Sequence, residues 1–292
     1  MESLSVRAPG HAAPVDHDRA ATAPGSRPGS RARARLSEPG SPVCTPDWLA
    51  LREPADHAAR SETLAAALDE RLGVRDTVVV RDLGCGTGSM GRWLAPRLRA
   101  PQQWFVHDRD ADLARRAAAA LPVPATPVVG NLADVDPTGT DVVVCSALLD
   151  LLTATEIETL ARDCAAAGAA VLWTLSVSGR VRFDPADPGD APIAAAFDAH
   201  QRRGGLAGPD APDLAADALA RAGYAVRRET SPWRLAGGSA GSRPLAEEWL
   251  RGWLDAAAEQ DPVLDVDGYL ARRLEAPFAV EVGHVDVLGL PR

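Results

Sequence analysis

Short apolar runs alternate with amphipathic segments from residue 77 onward. A continuous apolar run of about 4–8 residues between turn residues is typical of a strand that is buried on both faces. The runs predict strands at 77–82, 104–108, 127–130, 141–146, 169–176, 224–229 and 278–288. Apolar residues at helical spacing predict helices at about 89–99, 110–120, 153–168 and 210–222. This alternation predicts a parallel sheet with helices on both faces.

Capping residues mark where several of these helices begin or end. Pro54 in a first turn and Gly73 past the end predict one helix that reaches about residue 72. Within it, Asp56 and Arg60 lie four residues apart, which predicts an exposed ion pair worth about 0.2–0.5 kcal/mol. Thr153 and Glu156 have the spacing of a capping box, which predicts the start of another helix.

Two segments interrupt the alternation of strands and helices. Residues 178–209 are rich in glycine and proline around a helical piece near 194–203, and residues 232–275 carry two further helical patterns. Ligands of such sheets bind beyond the carboxyl ends of the strands, and insertions there usually form the substrate side. We therefore expect both segments to be helical insertions beside a binding site.

Residues 1–45 differ in composition from the rest of the chain. They are rich in Pro, Gly, Ala, Ser and Arg without a helical or strand period, which predicts a disordered tail before one folded domain at 46–292. The tail holds 6 Arg and 4 acidic residues, whereas the remainder holds 25 Arg and 36 acidic residues. Nucleic-acid binding depends on neutralising phosphates, so we expect no nucleic-acid partner for this acidic domain.

The composition excludes several other classes of function. All 31 basic residues are arginine, so the chain has no lysine for a pyridoxal phosphate Schiff base or a Walker A motif. The four cysteines form no CxxC pair, so we expect neither a disulfide framework nor a metal site. The apolar runs are far shorter than the roughly 18 residues of a membrane span, and no secretory signal is readable. We expect a cytoplasmic protein without membrane association.

A glycine-rich turn follows the first predicted strand. Residues 78–91 read VVVRDLGCGTGSMG, and closely spaced glycines let the backbone approach a ligand. Gly86, Gly88 and Gly91 also match the dinucleotide pattern GxGxxG, which alone is weak evidence. Asp82 distinguishes a dinucleotide from a ligand that is positively charged near the turn. Its carboxylate repels a pyrophosphate at the helix N-terminus but suits a ligand that presents an ammonium group.

The segment DLGCGTG at 82–88, behind an apolar strand, resembles the first motif of class I S-adenosylmethionine-dependent methyltransferases. Segments similar to the later family motifs follow in order, WFVHDRDADL at 104–113, VVGNLADVD at 128–136 and DVVVCSALLDLL at 141–152. The resemblance covers about residues 77–176. It implies an α/β fold with a Rossmann-like, doubly wound, seven-stranded sheet, helical insertions on the acceptor side, and S-adenosylmethionine as the cofactor.

The resemblance also implies which residues contact the cofactor. Asp108 is expected to accept the ribose hydroxyls, Asn131 and Leu132 to lie along the adenine, and Ser146 to lie under the methionine part. The whole set implied for cofactor binding is Asp82, Gly84, Cys85, Gly86, Gly88, Asp108, Arg109, Asn131, Leu132 and Ser146. The segment before the first strand folds over the cofactor in many family members, which is an alternative to the exposed ion pair predicted there.

Methyl transfer from a sulfonium needs mainly proximity and alignment, and it needs a general base only when the acceptor carries a proton to be removed. His200, in the first insertion, is the predicted base or acceptor contact. A small-molecule acceptor is favoured, because the domain is acidic and the insertions can enclose a pocket. Two alternatives stay open, an NAD(P)-dependent oxidoreductase and a protein of the same fold that binds the cofactor without catalysis.

Overall fold

Eight strands form one mixed sheet in the computed structural model, which describes residues 44–236 and 241–292. The strands are β1 (Val78–Leu83), β2 (Gln102–Asp108), β3 (Ala125–Val129), β4 (Val142–Ser146), β5 (Ala170–Asp184), β6 (Tyr224–Thr230), β7 (Trp233–Ala236) and β8 (Ala279–Pro291). Their order is β3-β2-β1-β4-β5-β8-β6, and β7 also pairs with β8. The pairs among β1–β5 are parallel, whereas β8 is antiparallel to its three neighbours.

The strand order confirms the predicted doubly wound sheet. The chain runs outward from β1 through β2 to β3 and returns at β4, so the order reverses between β1 and β4. A ligand crevice forms at such a reversal, outside the carboxyl ends of the strands. The expectation of an entirely parallel sheet is wrong for β8, and β7 was not predicted. Four residues after Pro232 are too few to show a strand period.

Nine helices cover the sheet in the described residues. They are α1 (Pro46–Ala59), α2 (Glu62–Leu72), α3 (Ser89–Leu94), α4 (Ala111–Ala120), α5 (Ala154–Ala166), α6 (Asp190–Gln201), α7 (Ala211–Arg221), α8 (Arg243–Gln260) and α9 (Val266–Glu275). Apolar residues of α2 and α3 pack on one face of the sheet, and those of α5 and α7 pack on the other. The predicted capping box of Thr153 and Glu156 is confirmed at the start of α5.

The prediction of one helix starting near Pro54 is wrong. The hydroxyl of Thr45 accepts a hydrogen bond from the backbone N–H of Trp48 at 3.2 Å, so α1 begins eight residues earlier, and Pro54 lies inside it. The hydroxyl of Ser61 accepts from the backbone N–H of Leu64 at 3.1 Å and caps a separate helix, α2. A capping hydroxyl stabilises a helix start, so these two side chains determine where α1 and α2 begin. The prediction from Pro54 alone placed the start incorrectly.

The fifth strand is longer than predicted and continues to Asp184. Its pairing with β8 shifts register at two places, and Leu175 at the first of them has a φ of +55°. These irregularities bend the strand beyond the carboxyl edge of the sheet. Its distal half contributes to a third hydrophobic cluster, formed mainly with α6, α8 and α9 around Phe183, Trp253 and Tyr269. The two predicted insertions thus pack together as one layer.

The predicted disordered tail covers residues 1–45, and all but its last two residues lie outside the described ranges. The folded domain at 46–292 stays a prediction. Among the described helices, none is long and apolar enough to cross a membrane.

Candidate active site

The turn between β1 and α3 contains three glycines with left-handed backbone conformations, φ +64° at Gly84, +54° at Gly86 and +89° at Gly88. Gly88 caps α3, and a Cβ built on it lies 3.0 Å from the Cα of Ala117. Glycine is therefore required here for both conformation and space. Cys85 lies between these glycines, and burial raises the pKa of its thiol, which keeps the sulfur protonated.

The strand register brings several predicted site residues to one edge of the sheet. The last residue of β1, Leu83, pairs with the penultimate residues of β2 and β4. Asp108 and Ser146, the final residues of those two strands, therefore flank Gly84. The three chain segments that the family resemblance assigned to one cofactor are thus neighbours in space.

Asp108 connects the second strand to the glycine turn. Its carboxylate accepts hydrogen bonds from the backbone N–H of Gly86 at 3.0 Å and from that of Asp110 at 2.9 Å. The two bonds use different oxygens, and each carboxylate oxygen retains a further acceptor position. Burial raises the pKa of Asp108, against the lowering effect of these two bonds. The side chain can therefore accept further hydrogen bonds from a diol.

Asp82 lies deeper, below the turn, and is 1% exposed. Both of its carboxylate oxygens lack a hydrogen-bond partner within the described residues. Burial raises the pKa of Asp82 to about 7, and the positive charge of Arg60 partly opposes this increase. A buried, unpaired carboxylate is costly, and such a group is found where a cationic partner or a proton compensates it.

The remaining predicted cofactor residues lie at the ends of the second and third strands. Arg109 is exposed directly after β2. Asn131 and Leu132 follow β3, where Asn131 precedes a short 3-10 turn and makes no capping hydrogen bond with its side chain. Leu132 is half-buried and packs on the cluster that includes α5.

The helix α1 lies over the glycine turn. Three side chains of α1 contact the turn or the start of α3. The Cδ1 of Leu49 is 3.0 Å from where a Cβ on Gly86 would lie. Glu53 forms an ion pair of 2.5 Å with Arg92 of α3, and His57 Nε2 is 3.1 Å from the carbonyl oxygen of Ser89. The segment before β1 therefore covers the turn.

The prediction of an exposed ion pair between Asp56 and Arg60 is wrong. The two residues are 4% and 3% exposed, and Arg60 Nη2 is 3.9 Å from Asp56 Oδ2. Asp56 is bound on its other sides, because Arg52 donates three hydrogen bonds to it and Trp233 Nε1 donates a fourth at 3.0 Å. The four-residue spacing identified a helical pair correctly, but packing against β7 buries it.

Sequence reasoning did not identify Asp150, which follows β4. Its Oδ1 is buried without a hydrogen-bond partner in the described residues, and burial raises its pKa. The charge of Arg52, on α1, opposes that increase. Ala147, between Ser146 and Asp150, has a φ of +50°, a conformation that costs energy for a residue with a Cβ and is found most often at functional sites. The sequence signal that could have identified Asp150 is an acidic residue soon after the fourth predicted strand.

His200 lies near the end of α6. Its Nε2 is 3.1 Å from Oε2 of Glu259 on α8, and its side chain is half-buried. The structure therefore places the predicted base against the neighbouring helix of the insertion layer, while Asp82, Asp108 and Ser146 share the edge beside the glycine turn.

These features fit S-adenosylmethionine. The unpaired carboxylate of Asp82 suits an ammonium group, and the remaining acceptor positions of Asp108 suit a ribose diol. Within residues 44–236 and 241–292, no group of three or more His, Cys, Asp or Glu side chains is arranged to hold a metal ion.

Comparison with known families agrees with this site. Residues 80–168 match the family model described as a methyltransferase domain, and this range runs from β1 to the end of α5. The fold and the site thus define a Rossmann-like protein that binds S-adenosylmethionine. Residues 80–168 are thus similar to a methyltransferase domain, and the residues at the edge of the sheet fit S-adenosylmethionine as the cofactor. The family match gives no support to the oxidoreductase alternative.

Solved structures with similar shapes include methyltransferases. A cyclopropane synthase of Mycobacterium tuberculosis, MmaA2, is 14% identical, with 89% of this chain and 97% of that chain covered and a TM-score of 0.46. A methyltransferase of Geobacter sulfurreducens in complex with S-adenosylhomocysteine is 17% identical, with 85% and 99% covered and a TM-score of 0.40. The plantazolicin methyltransferase BpumL is 12% identical, with 84% and 88% covered and a TM-score of 0.45. No curated protein matches the chain.

Proposed function

We propose that the protein transfers the methyl group of S-adenosylmethionine to a small molecule in the cytoplasm. The observation that carries this proposal is the position of α1. Leu49 and Glu53 of this helix face the glycine turn, whereas Leu51 and Ala55 pack against the cluster of the insertion layer. The helix thus spans from the turn to the acceptor side. Small ligands bind in enclosed, concave sites, and a covering helix supports an acceptor of that size.

In this proposal the chain's own residues bind and orient the cofactor. Asp82 holds the ammonium group, Asp108 and the adjacent Arg109 hold the ribose, and Ser146 lies under the methionine part. Asn131 and Leu132 line the adenine. The backbone of Gly84, Cys85, Gly86 and Gly88 provides the close surface. The unpaired oxygens of Asp82 and the register of β1, β2 and β4 support this arrangement.

S-adenosylmethionine supplies a methyl group on a sulfonium, which leaves as a neutral thioether after in-line attack by the acceptor. The chain contributes alignment of the acceptor and exclusion of water. Asp150 offers a buried carboxylate oxygen without a partner to a hydroxyl or amine of the acceptor. Burial raises the pKa of Asp150, which makes its carboxylate a stronger base than an exposed one. His200 stays the second candidate for this role.

Charge and thiol chemistry support the remaining parts of the proposal. Residues 46–292 contain 25 Arg and 36 acidic residues, and such an excess of negative charge repels nucleic acids. All four cysteines are unpaired thiols, as is usual in a reducing compartment.

The test is incubation with methyl-labelled S-adenosylmethionine and an extract of the source cells, followed by separation into small-molecule, protein and nucleic-acid fractions. We expect the label in the small-molecule fraction, and we expect excess S-adenosylhomocysteine to suppress it. Label in the protein or nucleic-acid fraction would contradict a small-molecule acceptor while leaving methyl transfer itself intact.

A further inference from the structure

A cavity of about 370 Å³ lies at the distal half of β5, on the face of the sheet that α7 covers. Successive residues of a strand point to opposite faces. Trp233 and Val282 pack into the third hydrophobic cluster with the insertion layer, whereas Arg234 and Gly283, the next residues of the same strands, border the cavity. The sheet therefore separates the cavity from the insertion layer, and none of the lining residues belongs to the cofactor site.

An irregularity of β5 opens this cavity. The pairing of β5 with β8 shifts register here, so that residues 178–180 lie opposite Gly283 alone. A Cβ built on Gly283 would lie 2.6 Å from Oγ of Ser178, which is too close, so glycine is required at this position. Extra residues of this kind turn side chains out of the regular alternation. Ser178 and Arg180 consequently both line the cavity.

Three arginines from three strands border the cavity, and one of them has no partner. Arg228 forms an ion pair with Asp213 of α7 at 2.6 Å, and Arg234 forms one with Glu281 at 3.2 Å. The side chain of Arg180 forms no ion pair and no hydrogen bond within residues 44–236 and 241–292. These five side chains therefore carry one more positive charge than negative charge, although the domain as a whole is acidic.

Two other ionisable residues border the cavity, Glu229 and His284, but strand alternation directs their side chains to the opposite face of the sheet. Glu229 pairs with Asp286, whose carboxylate accepts a hydrogen bond from the backbone N–H of Ser61 at the start of α2. The ring of His284 lies 5.1 Å from the ring of Trp233, and burial lowers the pKa of this histidine to about 3, so that it is neutral. Neither side chain changes the charge of the cavity.

The other groups around Arg180 suit an organic ligand that carries a carboxylate. The hydroxyls of Ser178 and Thr230 form no hydrogen bonds among the described residues and can donate to an oxyanion. A guanidinium pairs with a carboxylate through two parallel N–H groups. One uncompensated positive charge matches one negative charge, whereas a phosphate dianion would exceed it. Apolar surface for the rest of the ligand comes from Pro209, Pro212, Pro232 and Val285.

We propose that this cavity binds a small organic carboxylate. Arg180 contacts the carboxylate group, and the prolines contact the apolar part of the ligand. A volume of about 370 Å³ lies within the usual range for small-molecule sites. The proposal depends neither on the cofactor nor on the methyl acceptor.

Titration of the wild-type protein with benzoate, benzamide and acetate, followed by the backbone amide NMR signals, is the first test. Benzoate has a carboxylate and an apolar ring, benzamide keeps the ring without the charge, and acetate keeps the charge without the ring. We expect benzoate to bind about tenfold more tightly than either of the others, and we expect the signals of Arg180 and Gly283 to shift. Equal affinity for benzoate and benzamide, or shifts confined to Gly84 and Gly86 at the cofactor site, would overturn the proposal.

The variant Arg180→Gln provides the second test, and Arg227→Gln is its matched control. Both arginines are exposed on strands of the same sheet, but Arg227 pairs with Leu288, which packs on the opposite face. Arg180→Gln should bind benzoate about tenfold more weakly and benzamide unchanged, so that the preference for the carboxylate disappears. Arg227→Gln should keep the wild-type preference. Equal weakening of benzoate binding in the two variants would indicate a general effect of charge and would contradict a specific contact.

Two further titrations define the ligand class and the place of binding. Phenyl phosphate is a dianion near pH 8 and should bind no more tightly than benzoate. Tighter binding would contradict the match to a single negative charge. Benzoate should bind equally well when the protein is saturated with S-adenosylhomocysteine. Displacement of benzoate by S-adenosylhomocysteine would place it in the methyl-transfer site, and a separate cavity for carboxylates would then be wrong.

Discussion

Asp82 is a buried carboxylate whose protonation depends on what binds beside it. Burial raises its pKa from the ordinary 3.8 to about 7, with Arg60 and Arg92 opposing the increase and Asp108 adding to it. The folded protein without cofactor therefore keeps a proton that the unfolded chain releases near pH 4. This proton contributes stability that is fully present below about pH 4 and is lost as the pH rises through about 7.

In the proposed arrangement, the cofactor's ammonium group requires the ionised form of Asp82. The affinity for S-adenosylhomocysteine should therefore fall about tenfold per pH unit well below pH 7 and level off above it. Titration calorimetry between about pH 5.5 and 8 measures this dependence. Asp82→Asn is the control and should bind weakly with a flat profile. A flat profile in the wild-type protein would mean that Asp82 is already ionised or does not contact the ligand.

Asp108 and Asp110 are close in sequence but have different roles. The carboxylate of Asp110 accepts hydrogen bonds from the backbone N–H groups of Asp112 and Leu113 and caps α4. Asp108→Ala should lose about 1.5–3 kcal/mol of binding to S-adenosylhomocysteine, or about tenfold to hundredfold in affinity. Asp110→Ala should instead lower the free energy of unfolding by about 1 kcal/mol with little change in affinity. Calorimetry and urea denaturation separate these effects, and equal losses of affinity would contradict the assignment.

Asp150 and His200 are competing candidates for the proton acceptor. Loss of a general base should lower turnover by about 10² to 10⁴ while cofactor affinity stays intact. Asp150→Asn and His200→Gln should therefore differ in turnover once an acceptor is identified, and both should bind S-adenosylhomocysteine normally. A loss with His200→Gln alone would favour the original sequence prediction. Unchanged turnover in both variants would leave alignment alone as the source of catalysis.

The residues of the glycine turn could be predicted from the sequence because their requirements are local. A left-handed backbone needs glycine wherever the chain lies, and the acid before the turn belongs to the same short segment. Arg60 could not be predicted in this way. Its spacing from Asp56 is the same in an exposed helix and in a buried one, and only the packing of α1 against β7 and the turn decides between them. Asp150 was missed because its burial depends on distant elements.

At the scale of elements, Asp286 of β8 holds three segments together. It is completely buried and accepts hydrogen bonds from the backbone N–H groups of Ser61 and Leu175, each at 2.8 Å, and from Ser231 Oγ at 2.6 Å. Ser61 begins α2, and Leu175 is the residue of β5 with a positive φ. The carboxylate therefore joins the N-terminal helices to the irregular part of β5.

Asp286→Ala should lower the free energy of unfolding by about 3 kcal/mol or more, because each buried donor left without a partner costs about 1–3 kcal/mol. Asp265→Ala is the matched control. Asp265 caps α9 through one exposed hydrogen bond to the N–H of Gly268, and its loss should cost about 1 kcal/mol. Urea denaturation measures both values. Similar values for the two variants would show that Asp286 does not stabilise this junction.

Helices and strands that are marked by a few consecutive residues could be predicted, whereas those that depend on pairing with a distant segment could not. The capping box of α5 and the buried run of β4 are contained in a few consecutive residues, and both are confirmed. The continuation of β5 to Asp184 has no such signal. Its distal residues alternate with Gly179 and two arginines, and they are held in the sheet by pairing with β8, almost a hundred residues later. Pairing over such a distance leaves no local pattern to read.

At the scale of the whole molecule, the sequence predicts the sheet order through the family resemblance but not the shape of the acceptor side. The insertion layer depends on contacts among α1, β5, α6, α8 and α9, which come from three separate parts of the chain. Each part alone shows only an amphipathic helix or a short strand. If the acceptor binds beside that layer, as we propose, its identity is the part of the function that the motifs do not encode.

The last prediction concerns the N-terminal boundary of the domain that binds the cofactor. The hydrogen bonds of the site begin with the cap of α1 at Thr45, and α1 carries Leu49 over the turn and leads to Arg60. A protein that begins at residue 44 should keep its affinity for S-adenosylhomocysteine and unfold within about 0.5 kcal/mol of the full chain. A protein that begins at residue 61 should lose about tenfold or more in affinity, because it lacks the helix that covers the turn. Calorimetry on the two shortened proteins and the full chain measures this difference.

Weaker binding by the protein that begins at residue 44 would place part of the site in residues 1–43 and would contradict a domain that starts at residue 46. Unchanged binding by the shorter protein would remove α1 from the site.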